Sequence, residues 1–221
     1  MKNLGALHEN LDHKVYLALK QMITERILPP GHKIPQEKIA GELGISRTPL
    51  VNALKYLEKE NLVIAHPRRG FFVRLFTDGE MIQIFELREV LEGLAARRAA
   101  AVITALEAER LRRFFRKFPT DRTIDDAAAY AQEDREFHNH IARLGSHEFL
   151  QSVLEVFNII SFSYQFSSAH GLARDPEETI HEHLAIIEAL VSKDPQASER
   201  MMRAHFQNSI AVIRNRIARR G

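Results

Sequence analysis

The sequence contains no cysteine. That excludes disulfides and thiolate metal sites and makes the cytoplasm the expected compartment. No apolar run reaches the roughly 18–20 residues that a membrane span needs. The opening MKNLGALHENLDHK has neither a long apolar stretch nor a small-residue cleavage site, so no secretory signal is expected. Internal repeats and low-complexity segments are also missing. What is there is a chain of 221 residues, 45% hydrophobic, enough for one large domain or two small ones.

Charge divides this chain unevenly. Residues 1–76 hold 12 Lys and Arg against 7 Asp and Glu, a net of +5, while the rest holds 19 against 22, a net of −3. A basic first third points to a polyanionic partner for that part alone. In it, Leu11, Val15, Ala18, Leu19, Met22 and Ile23 recur at helix spacing, and Pro29-Pro30-Gly31 is expected to stop that helix. A short helix from Gln36 to Leu43 follows, with Gly44 as its C-terminal cap. Ser46 is placed to cap a third helix whose inner face is Leu50, Ala53, Leu54 and Leu57 and which ends at Asn61. Two β-type runs, Leu62-Val63-Ile64-Ala65 and Phe71-Phe72-Val73, flank the turn Pro67-Arg68-Arg69-Gly70. Helix, helix, short turn, helix, hairpin is the order of a winged helix-turn-helix, predicted for residues 1–76.

Beyond residue 77 the strand signals stop. Thr77 with Glu80 and Thr104 with Glu107 have capping-box spacing, and Asp175-Pro176 and Asp194-Pro195 each put an N-cap before a first-turn proline. Residues 77–221 therefore read as an antiparallel bundle of about six helices, near 78–103, 105–118, 124–144, 148–168, 176–192 and 195–219. The predicted fold is mostly α: a winged helix-turn-helix followed by an all-α bundle.

Two sets of side chains carry chemistry. On the third helix, Arg47, Thr48, Val51, Asn52 and Lys55 oppose the apolar stripe, the face that would enter the major groove of double-stranded DNA. Arg68 and Arg69, beside Gly70, suit backbone or minor-groove contact. In the bundle, Asp134 and His138 lie one turn apart on an inward face, His183 aligns with the buried Ile180, Ile187 and Leu190, and His205 borders an apolar stripe. His140 and His181 are expected to face outward. Three imidazoles and a carboxylate suit a divalent transition metal, Zn, Ni or Mn, and a cation gives four costly buried groups one common partner. Arg88 falls on the stripe Met81, Ile84, Leu91 and Ala95, where it either pairs with Glu92 or holds a carboxylate effector.

The stretch PPGHKIPQEKIAGELGISRTPLVNALKYLEKENLVIAHPRRGFFV resembles the winged helix of the GntR family, most specifically in GISRTPL, AL–LEKENLV and PRRGFFV. The remainder resembles the FCD domain of that family's FadR-like branch. The resemblance implies a homodimeric repressor that binds an operator and senses a small organic acid. It implies DNA contacts through Ser46, Arg47, Thr48, Asn52, Lys55, Arg68, Arg69 and Gly70. A subset of FCD domains binds metal through an Asp-x-x-x-His pair and two later histidines, here Asp134/His138, His183 and His205, with an arginine matching Arg88 in the pocket. One departure stands out. Family members usually carry Arg-Glu-Ala-Leu after the SRTP turn, where this chain has Val51-Asn52-Ala53-Leu54, so an arginine of the reading face is missing. Two other classes remain: a metallohydrolase, for which no positioned base or nucleophile motif is present, and an architectural DNA-binding protein whose bundle only dimerises.

Overall fold

In a computed structural model describing residues 6–167 and 174–220, the chain divides into two units, Met1–Leu75 and Phe76–Gly221. The first contains α1 (Ala6–Thr24), α2 (Gln36–Leu43), α3 (Arg47–Lys59), β1 (Val63–His66) and β2 (Gly70–Val73). Val15, Leu19 and Ile23 of α1 are buried in the same core as Leu50, Ala53, Leu54 and Leu57 of α3. Burying a side chain such as Leu or Ile contributes about 1.5–3 kcal/mol. Gly44 closes α2 in the left-handed region at φ 63°, its N–H returning to the last turn, and three residues later, at Arg47, α3 begins. This short turn makes α2 and α3 a helix-turn-helix. The prolines do not end α1. The helix stops at Thr24, because Arg26 turns left-handed at φ 61° and the Leu28 N–H bonds back to the Met22 carbonyl. Ser46 occupies the N-cap position of α3, but its hydroxyl makes no capping bond.

The wing is larger than a hairpin. β1 and β2 pair antiparallel, Val63 opposite Val73 and His66 opposite Gly70. Residues 31–34 add a third, short segment: Gly31 N–H bonds the Val73 carbonyl, and Ile34 N–H bonds the Phe71 carbonyl. Arg68 sits at the tip at φ 62°, after Pro67, where a type II turn normally wants glycine.

The second unit contains α4 (Asp78–Val102), α5 (Ala105–Leu111), α6 (Ala127–Gly145), α7 (Glu148–Ser167), α8 (Pro176–Val191) and α9 (Pro195–Ala218). The predicted end of α7 at Ser168 lies outside the described residues. Thr77 and Glu80 form a complete capping box at the start of α4, and the Thr104 side chain accepts from Glu107 N–H. Pro176 and Pro195 open their helices, with Asp194 bonding Ala197 N–H and Asp175 making no side-chain cap bond. α4 packs on α9 and α6, α8 on α9, and α6 on α7. Among the described residues no helix is long and apolar enough to cross a membrane.

Two predicted boundaries move. The helix expected over 105–118 ends at Leu111, and residues 112–118 turn instead, with Phe115 left-handed at φ 64° and 1% exposed. Its N–H bonds the Glu133 carboxylate of α6 at 2.7 Å. That contact and the burial of the ring stabilise the turned path over continued helix. α6 starts at Ala127 rather than 124, capped by Asp126.

Gly145 ends α6 for a packing reason. A Cβ built there would lie 1.8 Å from the Ala95 carbonyl oxygen, a backbone atom of α4 that no rotamer change can move. Glycine thus lets α6 meet α4 beside Ala95, Ala96, Ala99 and Ala100, all fully buried. Gly145→Ala is expected to destabilise this unit by about 3 kcal/mol or more, at the upper end of overpacking costs. Urea denaturation checks it, and a loss under about 1 kcal/mol would contradict the close approach.

Candidate metal centre and nucleic-acid interface

One atom from each of Asp134, His138, His183 and His205 lies within 4.8 Å of all the others. α6 supplies Asp134 and His138, one turn apart. α8 supplies His183 and α9 supplies His205. The three imidazoles are 0–6% exposed. Each is oriented through its Nδ1. Glu92 of α4 accepts the Nδ1 proton of His138, and Glu182 accepts that of His205 at 2.8 Å.

His183 Nδ1 lies 3.0 Å from Tyr130 Oη, which lies 2.7 Å from Thr179 Oγ1, and Thr179 donates to the Pro176 carbonyl. Tyr130 thus stands between the ring nitrogen and the Thr179 hydroxyl. The Nε2 atoms of His138 and His183 face Asp134 instead, at 3.7 and 3.0 Å.

The arrangement fits a cation. His183 Nε2 is buried with no hydrogen-bond partner and sits 3.0 Å from Asp134 Oδ1. A cation between them would give both groups one common partner. A separation of about 3 Å is also the edge expected between ligands bonded at roughly 2.0–2.1 Å and a right angle apart. Carboxylate and hydroxyl partners on the far ring nitrogens are the usual outer support of metal-bound histidine. Phe115 stacks on His183 with ring centroids 4.6 Å apart and planes at 8°, fixing that ring further.

Electrostatics act in the same sense. Burial holds the His183 imidazole down at about 4, against an opposing pull from Asp134, so it is neutral at pH 7. Burial likewise lowers His205. Burial would raise the carboxyls of Glu92, Glu182 and Asp134, but their cationic and hydrogen-bonding neighbours prevail. Arg88 and His138 hold Glu92 at about 2, His205 and Arg174 hold Glu182 at about 2, and His183 with His138 holds Asp134 well below the usual range.

Arg88 pairs with Glu92, the first of the two expectations held for it. Its Nε bonds Glu92 at 2.6 Å, its guanidinium lies 4.6 Å from the centre of the Phe206 ring, and it also lines the cavity shared by Asp134, His138 and His205. That cavity measures about 30 Å³, far below the roughly 300–1,000 Å³ of drug-sized pockets. Room exists for an ion, water or a carboxylate head.

His181 is exposed as expected. His140 is not turned to solvent: it is half-buried, its Nε2 lies 3.1 Å from Glu107 of α5, and it packs on Phe114. The early end of α5 creates those neighbours. Sequence reasoning missed Glu182 and Arg174, whose partners come from other helices. It also missed Phe115, whose role depends on the turn.

In the first unit, Arg47, Thr48 and Lys55 are exposed along α3. Arg47 shares a cleft of about 460 Å³ with Arg68, Arg69, Lys33 and Lys38. Lys33 and Lys38 also escaped sequence reasoning; their only signal is the basic balance of this region. Arg69 lies over the Phe72 ring, 5.6 Å from its centre. Gly70, at φ 89°, lies so close to Gln36 Nε2 that a Cβ would meet it at 3.0 Å. Asn52 departs from expectation: its amide donates to Asp12 of α1 at 2.9 Å, and with Val51 it is half-buried. It braces α3 against α1 instead of standing free with Arg47 and Lys55.

The chain is similar to known regulators. Residues 11–73 match the bacterial regulatory protein family gntR, and residues 83–208 match the FCD domain. The chain is 27% identical over 204 residues to the uncharacterized HTH-type transcriptional regulator YdhC of Bacillus subtilis, covering 90% of this chain and 89% of that one. It is 23% identical over 207 residues to the HTH-type transcriptional repressor RspR of Escherichia coli, covering 92% and 89%. The solved structure of E. coli McbR/YncC superposes with a TM-score of 0.72 at 21% identity, covering 94% of this chain and 98% of that one. The chain belongs to the GntR family of regulators that carry a C-terminal FCD domain, and it is a DNA-binding transcriptional regulator.

The pKa of His183 gives a pH prediction for metal-free protein. Its folded value, about 4, lies below the unfolded value of roughly 6.5, so between the two the unfolded state binds more protons. Stability is therefore expected to fall as pH drops from about 6.5 to 4. Urea denaturation of chelator-treated protein should show that slope, reduced in His183→Gln. An equal slope in both proteins would refute the assignment.

Proposed function

We propose that this regulator represses transcription as a homodimer, and that a small carboxylate effector, bound beside a divalent metal in the FCD domain, controls its operator affinity. The observation that carries the reading is the convergence of one ring nitrogen from each of His138, His183 and His205 with an Asp134 carboxylate oxygen, all within 4.8 Å of one another, the His183 Nε2 being buried and unpartnered. Asp134, His138, His183 and His205 would hold Zn, Ni or Mn, all of which accept mixed nitrogen and oxygen ligands. The cation supplies a Lewis-acidic point for one carboxylate oxygen. Arg88 stands on the same cavity, with only its Nε engaged by Glu92, and offers its planar fork to the same anion.

On the DNA side, Arg47, Thr48 and Lys55 read the major groove from α3, with Ser46 at the helix start. Its hydroxyl, free of a capping role, suits a phosphate oxygen. Arg68 and Arg69, positioned by Gly70, hold the backbone, joined by Lys33 and Lys38. Asn52 acts indirectly, by fixing α3 on α1. Leu87 and Val90 of α4, half or more exposed, with Leu94 at the next turn, form an apolar stripe that suits a second copy. The effector acts on operator affinity only through a preference for one state of the dimer.

Gel shifts of the full chain on operator fragments selected from genomic DNA test the DNA face. Arg47→Ala is expected to cost about 1–3 kcal/mol on the selected site and to relax its specificity. Arg68→Gly, which also relieves the strained turn, is expected to leave stability intact and to lower the salt dependence by about one phosphate. Unchanged affinity in both variants would overturn the assignment.

The sensing half is tested separately. Purified protein should contain about one divalent metal per chain after loading, Asp134→Ala should not, and Arg88→Ala should keep operator binding while losing the effector response. Substoichiometric metal in the loaded wild type, or normal induction of Arg88→Ala, would remove this half of the reading.

A further inference from the structure

The cavity at the metal centre is lined by a second arginine, Arg174, which precedes α8 and whose side chain is only 7% exposed. The two arginines are held alike. Arg88 bonds one oxygen of Glu92, and the other oxygen takes the Nδ1 proton of His138. Arg174 bonds both oxygens of Glu182, at 2.6 and 2.8 Å, and one of these also accepts from His205 Nδ1. Two Arg–Glu–His chains, drawn from different helices, thus end at the same point. Each arginine keeps donors that its glutamate does not use. The Nε of Arg174 is buried without a hydrogen-bond partner, the exposed carboxylate of Glu178 approaching it only to 3.5 Å. The bond from Arg88 to Glu92 uses Nε alone.

Charge decides what such a cavity admits. Arg88 and Arg174 face three carboxylates, those of Asp134, Glu92 and Glu182, a net −1 to which imidazoles that hold a cation through a ring lone pair add no charge. A divalent cation turns that to +1. In a buried site of low dielectric the sign of this sum governs whether an anion enters at all.

We propose that Arg174 is a second anion-binding residue of this cavity, and that the cavity takes a singly charged carboxylate only once the cation is bound. The inference rests on the metal-and-effector reading above and narrows its ligand to a monoanion. Glu182 gives the coupling a route: an anion drawn to Arg174 shifts the partner of the histidine that holds the metal. By linkage the anion tightens the metal as much as the metal tightens the anion.

The test is titration of the full chain with Co²⁺, followed by the visible absorption of the bound ion, with and without excess acetate or succinate as probes. Acetate is expected to tighten Co²⁺ binding to the wild type about 5-fold or more and to alter the spectrum. Succinate, a dianion, is expected to do so less. Metal-free protein should show no acetate-dependent rise in melting temperature.

Arg174→Met should still bind Co²⁺ but lose the acetate effect. Arg174→Lys, which keeps the charge without the fork, should retain part of it and controls for misfolding. If acetate acts equally on wild type and Arg174→Met, the arginine only braces Glu182 and the proposal falls while the metal centre stands. Succinate matching acetate, or acetate stabilising metal-free protein, overturns the monoanion and the metal-first order respectively. Failure of the wild type to take up Co²⁺ removes both this inference and the reading beneath it.

Discussion

His183 Nε2 and Asp134 Oδ1 lie 3.0 Å apart inside the bundle. Among the described residues no group hydrogen-bonds that buried nitrogen. A fold that keeps such a contact must hold both groups from behind, and the surrounding structure does so. Tyr130 and Thr179 fix His183 through a chain of hydroxyls. Glu92 and Glu182 fix the other two imidazoles. Phe115 covers His183 face to face. The turned path after α5, the position of α4 beneath α6 and the proline-opened starts of α8 and α9 all serve to bring these groups together.

The glutamates give the centre its second property. Each stands between an arginine and a histidine, so it neutralises a buried cation while orienting a ligand. A buried guanidinium without such a partner would be strongly unfavourable. With one, the arginine stays charged beside the cavity and keeps donors for a ligand. The buried charges of the bundle are thus balanced by the same few residues that orient its histidine cluster.

The first unit follows the opposite logic. Its active side chains are exposed and close to one another, and their charges remain in water until a polyanion displaces it. Arg47 from α3, Arg68 and Arg69 from the wing and Lys33 from the third strand segment border one cleft. The Asn52–Asp12 bond uses a side chain on the reading face to hold α3 on α1. Helix periodicity put Asn52 on the reading face, and there it serves as a brace between helices.

Sequence alone determined the elements and which faces turn inward. Local signals are sufficient for that: the stripes of α1 and α3, the Thr77–Glu80 box, Gly44 and the first-turn prolines act within one or two helical turns, and so does the one-turn spacing of Asp134 and His138. Helix periodicity also placed His183 and His205 inside, because the face a residue occupies is fixed by its neighbours in sequence. The tertiary structure decided everything that depends on a neighbour far along the chain. Glu133 draws Phe115 out of the helix expected there, Glu107 receives a histidine expected in solvent, and Ala95 excludes a side chain at Gly145. Glu182 meets His205 only because α8 and α9 lie side by side, and Arg174 is held there by Glu182. Periodicity states the direction in which a side chain points, but what it meets is set by the packing of helices, whose order in space no local pattern encodes.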